Sequence, residues 1–242
     1  MTETDSSALD AALDEMANVT DRLLATVDRL DDAALREPSL LPGWTRGHVL
    51  THLARNADAL ANLAGWARTG EVTPMYPGGP GSRDADIEQG AGRRIGDIRL
   101  DLGDSAERLL GAFADFPEEG LGREVELRSG ATAYGWELPL LRVREVEIHH
   151  VDLSAGYTPA HWSDGFVRRT LDQLAPQFEA RADCPVGALD ATDLGTTWRV
   201  AATGPTLSGP ATGLLAWLTG RSDGDGLLLD PDGPVPSAPR WS

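Results

Sequence analysis

The amino-acid sequence predicts an α+β protein, in which an N-terminal four-helix bundle with a metal site precedes a small C-terminal α/β domain. Over about the first 150 residues, apolar side chains recur every three or four positions, the period of helices that bury one face. After "GYTPAHWSDG", helix-like and strand-like runs alternate instead, which is typical of a small α/β domain. The chain of 242 residues is long enough for two domains, predicted over 1–157 and 158–242.

The helices of the predicted bundle are separated by segments that break helices. Ser6 or Ser7 can cap the first helix, and Thr45 stands as an N-cap before the second. The irregular loop "GEVTPMYPGGPGSR" leads to the third helix, for which Gly103 is a candidate point of interruption. The stretch "GREVELRSGATAYGWELP" is expected to form a short hairpin or an extended crossing. The predicted helices cover about 7–35, 46–69, 85–116 and 139–153.

The predicted C-terminal domain begins where the helical period gives way, at about 156–163. Its segments are short, and turn-forming residues separate them. Its predicted elements are a helix over 162–178, a strand over 196–203, a helix over 208–219 and a strand over 226–231.

The composition excludes several classes of function. A formal net charge of -17 and a pI near 4.5 argue against nucleic acid as a partner, because binding phosphates requires basic clusters. Cys184 is the only cysteine, so an intramolecular disulfide and a thiolate metal cluster are both excluded. The acidic N-terminus has no apolar core of a signal peptide, and no apolar run is long enough for a membrane span. We therefore expect a cytoplasmic protein without a membrane partner.

Metal-ligating residues concentrate on two of the predicted helices. In "REVEIHHVDL" (144–153), Glu145 and His149 are four residues apart and share one helix face. His48 and His52 lie one turn apart on the second helix. A His, Glu and His set with an open fourth position is a catalytic zinc arrangement. The spacing favours His52, Glu145 and His149 as ligands, with His48 and His150 as rivals.

Several segments resemble one known family in order along the whole chain. They are "GWTRGHVLTHLARNA", "ARTGEVTPMY", "RVREVEIHHVDL", "LTGRSDG" and the terminal "PRW", which ends at Trp241. These segments are similar to the mycothiol-dependent maleylpyruvate isomerases of the DinB-like, metal-dependent thiol-transferase superfamily. The resemblance implies a divalent metal, usually zinc, held by His52, Glu145 and His149, and an active-site Arg221 from the second domain. It also implies mycothiol as the thiol cofactor and a place in the gentisate pathway of aromatic catabolism.

The implied reaction requires a nucleophile that the chain does not itself offer. Isomerising maleylpyruvate to fumarylpyruvate requires the cis double bond to become single, which a thiolate achieves by addition, rotation and elimination. Cys184 precedes a proline in a predicted loop and is interpreted as incidental, so the sulfur is expected from mycothiol. A metal cation would deliver that thiol as thiolate near neutral pH. Arg83 and Arg221 are the expected catalytic residues, since a guanidinium binds carboxylates and stabilises an enolate.

Other polar and aromatic residues near the motifs are given structural roles. Glu147 and His150 depart from the family pattern and are interpreted as a solvated helix face. Asp152 is expected to cap the turn after the fourth helix, and Trp44 and Trp66 to lie in the bundle core. The two arginines beside the ligand motif, Arg142 and Arg144, are expected to pair with neighbouring carboxylates.

Two other functions remain compatible with the same residues. The chain could be a mycothiol S-transferase acting on another electrophile, because the metal and thiol would serve that reaction equally well. It could also be a non-catalytic module that binds a metal or an acidic regulator. Activity on maleylpyruvate with and without mycothiol distinguishes the isomerase from both.

Overall fold

The computed structural model describes residues 3–79, 81–181 and 183–240, with side chains described from Ser7 onward. The chain divides into two compact units, one that extends to Ala155 and one that starts at Gly156. The predicted α+β fold class is confirmed, with helices dominating the first unit and a small sheet in the second. Trp241, at the end of the family-like segments, lies outside the described residues. No described helix combines the length and apolar character that a membrane crossing requires.

Four long helices of the first unit form a closed bundle. The elements are α1 (Glu3–Val27), α2 (Arg46–Thr69), α3 (Ser82–Ala91), α4 (Ile95–Ala112), α5 (Glu118–Leu121), β1 (Glu124–Glu126), β2 (Thr132–Tyr134) and α6 (Leu138–Asp152). Helix α1 contacts α4 and α6, and α2 contacts the same two helices. The short helix α3 packs on α2, and a two-stranded antiparallel hairpin links α5 to α6.

The apolar period of the sequence becomes the core of this bundle. Helix α2 is buried along most of its length because it lies against α3, α4 and α6. Its core side chains are interlocked with apolar residues from the other three long helices, as close packing requires. The fully buried apolar residues include Leu23, Val27, Leu50, Leu53, Leu60, Leu63, Ile98, Val143, Val146 and Ile148.

The first helix differs from its prediction at both ends. It already includes Glu3, upstream of the two serines expected to cap it, and it ends at Val27 instead of near Leu35. Leu35 lies in a short 3₁₀ turn. The Asp31 carboxylate accepts hydrogen bonds from the backbone N–H groups of Ala33 and Ala34, at 3.1 and 2.8 Å. A local side-chain acceptor of this kind stabilises the turn around Leu35 in place of the continued helix that the sequence predicts.

The predicted third helix is two helices, and the break is not at Gly103. Helices α3 and α4 are separated at 92–94, whereas Gly103 lies inside α4. Two glycines allow α3 to approach α2 closely. A Cβ at Gly90 would lie 2.4 Å from Thr51 Cγ2, and one at Gly47 would lie 2.3 Å from the Ala91 carbonyl oxygen. A real side chain cannot come so close to another atom. Helix α3 can therefore pack this closely on α2 only because both positions are glycine.

The described residues of the second unit form a mixed four-stranded sheet and two α-helices. The elements are α7 (Asp164–Glu179), β3 (Ala188–Ala191), β4 (Thr196–Arg199), β5 (Thr206–Gly209), α8 (Ala211–Leu218) and β6 (Leu228–Asp230). The strand order is β4-β3-β5-β6, in which only the β3–β5 pair is parallel. Strand β3 was not predicted from the sequence, and the end of β5 was assigned to the helix expected over 208–219.

Candidate metal centre

Three predicted ligand residues meet between α2 and α6. One potential ligand atom each from His52, Glu145 and His149 lies within 4.8 Å of the other two. The Nε2 atoms of His52 and His149 lie 3.1 and 3.7 Å from Oε2 of Glu145. The two imidazole rings are perpendicular, with their centroids 4.6 Å apart. Within the described part of the chain, no fourth His, Cys, Asp or Glu joins this group.

The two rival histidines face other partners. His48 is the third residue of α2, and its Nδ1 accepts a hydrogen bond from the backbone N–H of Thr45 at 3.2 Å. The Thr45 hydroxyl lies 2.8 Å from the same nitrogen, so this histidine completes the cap of α2. His150 is turned toward α1, where its Nε2 lies 2.8 Å from the Thr26 hydroxyl.

Electrostatics keeps His52 and Glu145 in the protonation states that a cation requires. Burial lowers the pKa of His52 to about 4, against the opposing effect of the hydrogen bond that the ring donates to Glu145, so this ring is neutral at neutral pH. Burial by itself would raise the pKa of Glu145. The hydrogen bond from His52 and the nearby charge of Arg144 outweigh it and hold that pKa well below its usual range. The site therefore presents neutral imidazole and ionised carboxylate.

Asp152 forms a hydrogen bond with the third candidate ligand, His149, and does not only cap a turn. Its Oδ2 lies 2.8 Å from Nδ1 of His149, and its side chain is 1% exposed. The expected role as a turn cap is therefore incomplete, because the three-residue spacing on α6 brings this carboxylate under the imidazole ring. A carboxylate on the second ring nitrogen fixes the tautomer of a metal-ligating histidine and raises its basicity. The signal was available in the sequence as H-x-x-D on one helix.

Arg83 lies at the edge of the centre, at the start of α3. Its Nη2 is 3.2 Å from Nδ1 of His52, and its Nη1 bonds to Asp84 at 2.6 Å. The guanidinium also lies 6.0 Å from the ring centroid of Trp44 and forms a hydrogen bond with the hydroxyl of Tyr76. The structure thus brings this predicted arginine to the predicted ligands.

Two aromatic residues of the centre were not predicted. Trp44 is half-buried, and its ring centroid is 5.7 Å from that of His52, so it borders the site instead of filling the bundle core. Tyr76, from the loop before α3, lies close enough to Glu145 for that charge to act on the pKa of its phenol, which burial raises. Its hydroxyl is therefore a neutral hydrogen-bond donor at the edge of the centre. Trp66, the other expected core residue, is also half-buried.

The solvated face predicted for Glu147 and His150 is wrong. Both side chains are buried against α1. Oε1 of Glu147 accepts a hydrogen bond from Arg22 at 2.5 Å, a contact between α6 and α1. These residues connect α6, which carries two of the candidate ligands, to the neighbouring helix α1. The apolar periodicity of the sequence did not reveal their burial, because periodicity predicts any polar helix position to be exposed, even where a polar partner on another helix covers it.

Arg142 also differs from its expected pairing with a carboxylate. It is 1% exposed, and its Nη1 donates to the Leu53 carbonyl oxygen and to Oδ1 of Asn56, at 2.7 and 2.8 Å. Burial lowers its pKa to about 10, which still leaves it charged at neutral pH. Burial likewise lowers the pKa of Arg144, and the charge of Glu145 opposes that shift. Both arginines place positive charge near the carboxylate ligand.

Arg221 and Cys184 belong to the second unit. Nη1 of Arg221 donates to the Thr219 carbonyl oxygen at 2.5 Å, and its backbone N–H donates to the Ala216 carbonyl oxygen at 2.7 Å. Its role at the metal centre stays a prediction. Cys184 is partly buried, and burial raises the pKa of its thiol, which disfavours the thiolate form. The chemistry of this cysteine agrees with the incidental role expected for it.

The donor set fits a divalent cation of the zinc type. Two imidazole nitrogens and one carboxylate oxygen are the ligands of many catalytic zinc sites, which keep one further position for water or substrate. A neutral His52, an ionised Glu145 and a His149 held by a buried carboxylate supply the protonation and orientation that such binding needs.

Comparisons with known proteins agree with this geometry. A family model described as the mycothiol maleylpyruvate isomerase N-terminal domain matches residues 16–154. A crystal structure of a mycothiol-dependent maleylpyruvate isomerase aligns with a TM-score of 0.90 and 31% identity, covering 96% of this chain and 97% of that chain. A crystal structure of an H52A mutant of such an isomerase, numbered in that protein's own sequence, gives 0.89 and 31% over the same shares. Curated protein sequences give no match. Since the family model covers more than half of the chain and the structural alignment nearly all of it, the chain belongs to the mycothiol maleylpyruvate isomerase family.

Proposed function

We propose that this protein is a mycothiol-dependent cis–trans isomerase that converts maleylpyruvate to fumarylpyruvate. The observation that carries the proposal is the three-donor centre of His52, Glu145 and His149 with Arg83 at its edge. Similarity over 96% of the chain to a maleylpyruvate isomerase of known structure supports the same reaction. We propose zinc as the metal, because one carboxylate and two imidazoles without a thiolate suit that ion.

The chemistry divides between the bound groups and the residues of the chain. When bound, the cation lowers the pKa of a thiol, and mycothiol supplies the thiolate whose reversible addition makes the cis double bond rotatable. His52, Glu145 and His149 would hold the cation, and Asp152 keeps His149 in the tautomer that exposes Nε2. The phenol of Tyr76 is placed to donate a hydrogen bond to a ligand at the edge of the centre.

Arg83 supplies the positive charge for a carboxylate of the substrate. Its Nη2 lies 3.2 Å from Nδ1 of His52, at the edge of the candidate centre. From this position the guanidinium would bind a carboxylate of the substrate or the developing enolate through charge-assisted hydrogen bonds. Arg221 is proposed as the second arginine on the resemblance alone.

The decisive experiment measures maleylpyruvate isomerisation by the zinc-loaded protein with and without mycothiol. We expect turnover only when both the metal and mycothiol are present. A protein that binds zinc and mycothiol but leaves maleylpyruvate unchanged, while it transfers the thiol to another electrophile, would be an S-transferase. A protein that binds zinc but not mycothiol would contradict both enzymatic functions.

A further inference from the structure

A cavity of about 610 Å³ lies in the first unit beside the metal centre. Its volume falls in the range of pockets that hold drug-sized ligands, and it is larger than a small dicarboxylate requires. Arg83 forms part of its lining, and the same guanidinium bonds to Nδ1 of His52. Arg83 thus lies between the cavity and the candidate ligands, together with Tyr76, which also lines the cavity.

The lining of this cavity carries balanced charge. Arg83 is paired with Asp84 at 2.6 Å, and both line the cavity. Glu126 and Arg128, at the end of β1 and in the turn after it, add one charge of each sign. Among the described residues, neither Glu126 nor Arg128 forms a side-chain hydrogen bond or ion pair, so both are available to a ligand.

Such a lining favours hydroxyl groups over a dianion. A site for two carboxylates needs an excess of positive charge, because like charges repel and a carboxylate cannot accept from another carboxylate. A hydroxyl group donates to Glu126 and accepts from Arg128, so a polyhydroxylated ligand can use both. Trp66 and Tyr76 also line the cavity and are half-buried, which leaves aromatic surface for the apolar C–H face of a sugar ring.

We propose that this cavity binds the sugar part of mycothiol, so that its sulfur extends past Arg83 toward His52, Glu145 and His149. The proposal rests on the proposed function for the identity of the thiol. It assigns the sugar part of the thiol to Glu126, Arg128 and Trp66.

The test compares two substitutions in the cavity with a matched control. Glu126→Gln and Arg128→Gln each remove a charged partner for hydroxyl groups. Glu124→Gln changes a carboxylate on the same exposed side of β1 that does not line the cavity. Calorimetric titration of the zinc-loaded protein with mycothiol is expected to show about tenfold weaker binding for each cavity variant and less than a twofold change for Glu124→Gln.

Steady-state kinetics and a truncated thiol separate this proposal from its competitors. The KM for mycothiol should rise about tenfold in both cavity variants, with the KM for maleylpyruvate changed less than twofold. With N-acetylcysteine, a thiol that has no sugar, the penalty of each substitution should fall below twofold, because the removed contact is no longer made.

Each contrary result has a defined meaning. The proposal is overturned if unmodified protein does not bind mycothiol or if both cavity variants bind it normally. It is also overturned if the variants raise the KM for maleylpyruvate and leave the KM for mycothiol unchanged. An equal loss with N-acetylcysteine would also overturn it. If the unmodified protein binds mycothiol and the cavity variants weaken that binding, but maleylpyruvate is not isomerised, the proposed function fails and the cavity assignment stands.

Discussion

The hydrogen bond between Asp152 and His149 gives a direct test of the candidate centre. Asp152→Asn keeps the size of the side chain but removes its negative charge. The Oδ2 atom of Asp152 lies 2.8 Å from Nδ1 of His149, in a position where the carboxylate is 1% exposed. The substitution therefore replaces a buried, charge-assisted hydrogen bond by a neutral one, and the new amide can also present its NH₂ group to the ring.

The expected loss follows from the strength of that bond. Hydrogen bonds to charged groups are worth about 1.5–3 kcal/mol and neutral ones about 0.5–1.5 kcal/mol, so the difference is about 1–2 kcal/mol. Since about 1.4 kcal/mol corresponds to a factor of ten, zinc affinity should fall roughly 5- to 30-fold. Changes to the outer partner of a ligating histidine commonly cost about 10- to 100-fold, which overlaps this range.

Competition with a chromophoric chelator measures the zinc affinity, and thermal melting shows whether the variant is folded. Glu147→Gln is the matched control, because Glu147 is another buried acid on α6 but bonds to Arg22 of α1. That control should lower the melting temperature and leave zinc affinity within twofold. A folded Asp152→Asn protein that binds zinc as tightly as the unmodified protein would refute the assignment of Asp152 to the metal centre.

Four further predictions test the site and its chemistry. Replacing His149 by Ala should empty the metal site, whereas His150→Ala should retain the metal and lower stability. If metal analysis shows that His150→Ala loses the metal and His149→Ala keeps it, then His150 is the ligand and the assignment of His149 is wrong. Cys184→Ser should keep near-normal turnover, and loss of activity with metal and fold intact would make this thiol the nucleophile. Arg221→Ala should lower the isomerisation rate by roughly 10², with partial recovery in Arg221→Lys, and unchanged turnover would limit the second unit to a structural role. Because the pKa of His52 is lowered to about 4 in the metal-free fold, its contribution to stability is complete above pH 6.5 and is lost as pH falls toward 4. Denaturant titrations of the metal-free protein should show a loss of up to about 3 kcal/mol over that interval, and a His52→Gln variant with the same pH slope would contradict this.

The elements predicted best from the sequence are the long helices, in which apolar residues recur with a regular period. Helix α2 begins at Arg46 and ends at Thr69 as predicted, because Thr45 caps it and a glycine in the left-handed region ends it at Gly70. The break between α3 and α4 was missed, since it depends on how closely glycines let α3 approach another helix. Strand β3 was missed because it has only four residues. Its buried side chains alternate with less buried ones, but two such repeats are too few to recognise in a sequence.

The candidate ligands were predicted better than their surroundings. A spacing of four on α6 brings Glu145 and His149 to one face, and that part of the site follows from helix geometry alone. The partners of the ring nitrogens depend on which side chains from other elements approach them, as Arg83 approaches His52. Tyr76 and Trp44 were missed for the same reason, because residues in loops and caps carry no period.

The charge of the whole chain is a poor guide to the charge of its site. A protein with a net charge of -17 would be expected to repel a dicarboxylate, yet the guanidinium groups of Arg83, Arg142 and Arg144 lie around the centre. The carboxylates of Glu145, Asp152 and Asp84, of which Asp84 pairs with Arg83, balance these three charges. Salt at about 0.1 M screens exposed charges beyond roughly 10 Å, whereas buried charges in contact with a ligand are screened much less. For the proposed reaction, the acidic surface would therefore slow the approach of an anion, and the guanidinium groups together with a bound cation would decide how tightly it is held at the site.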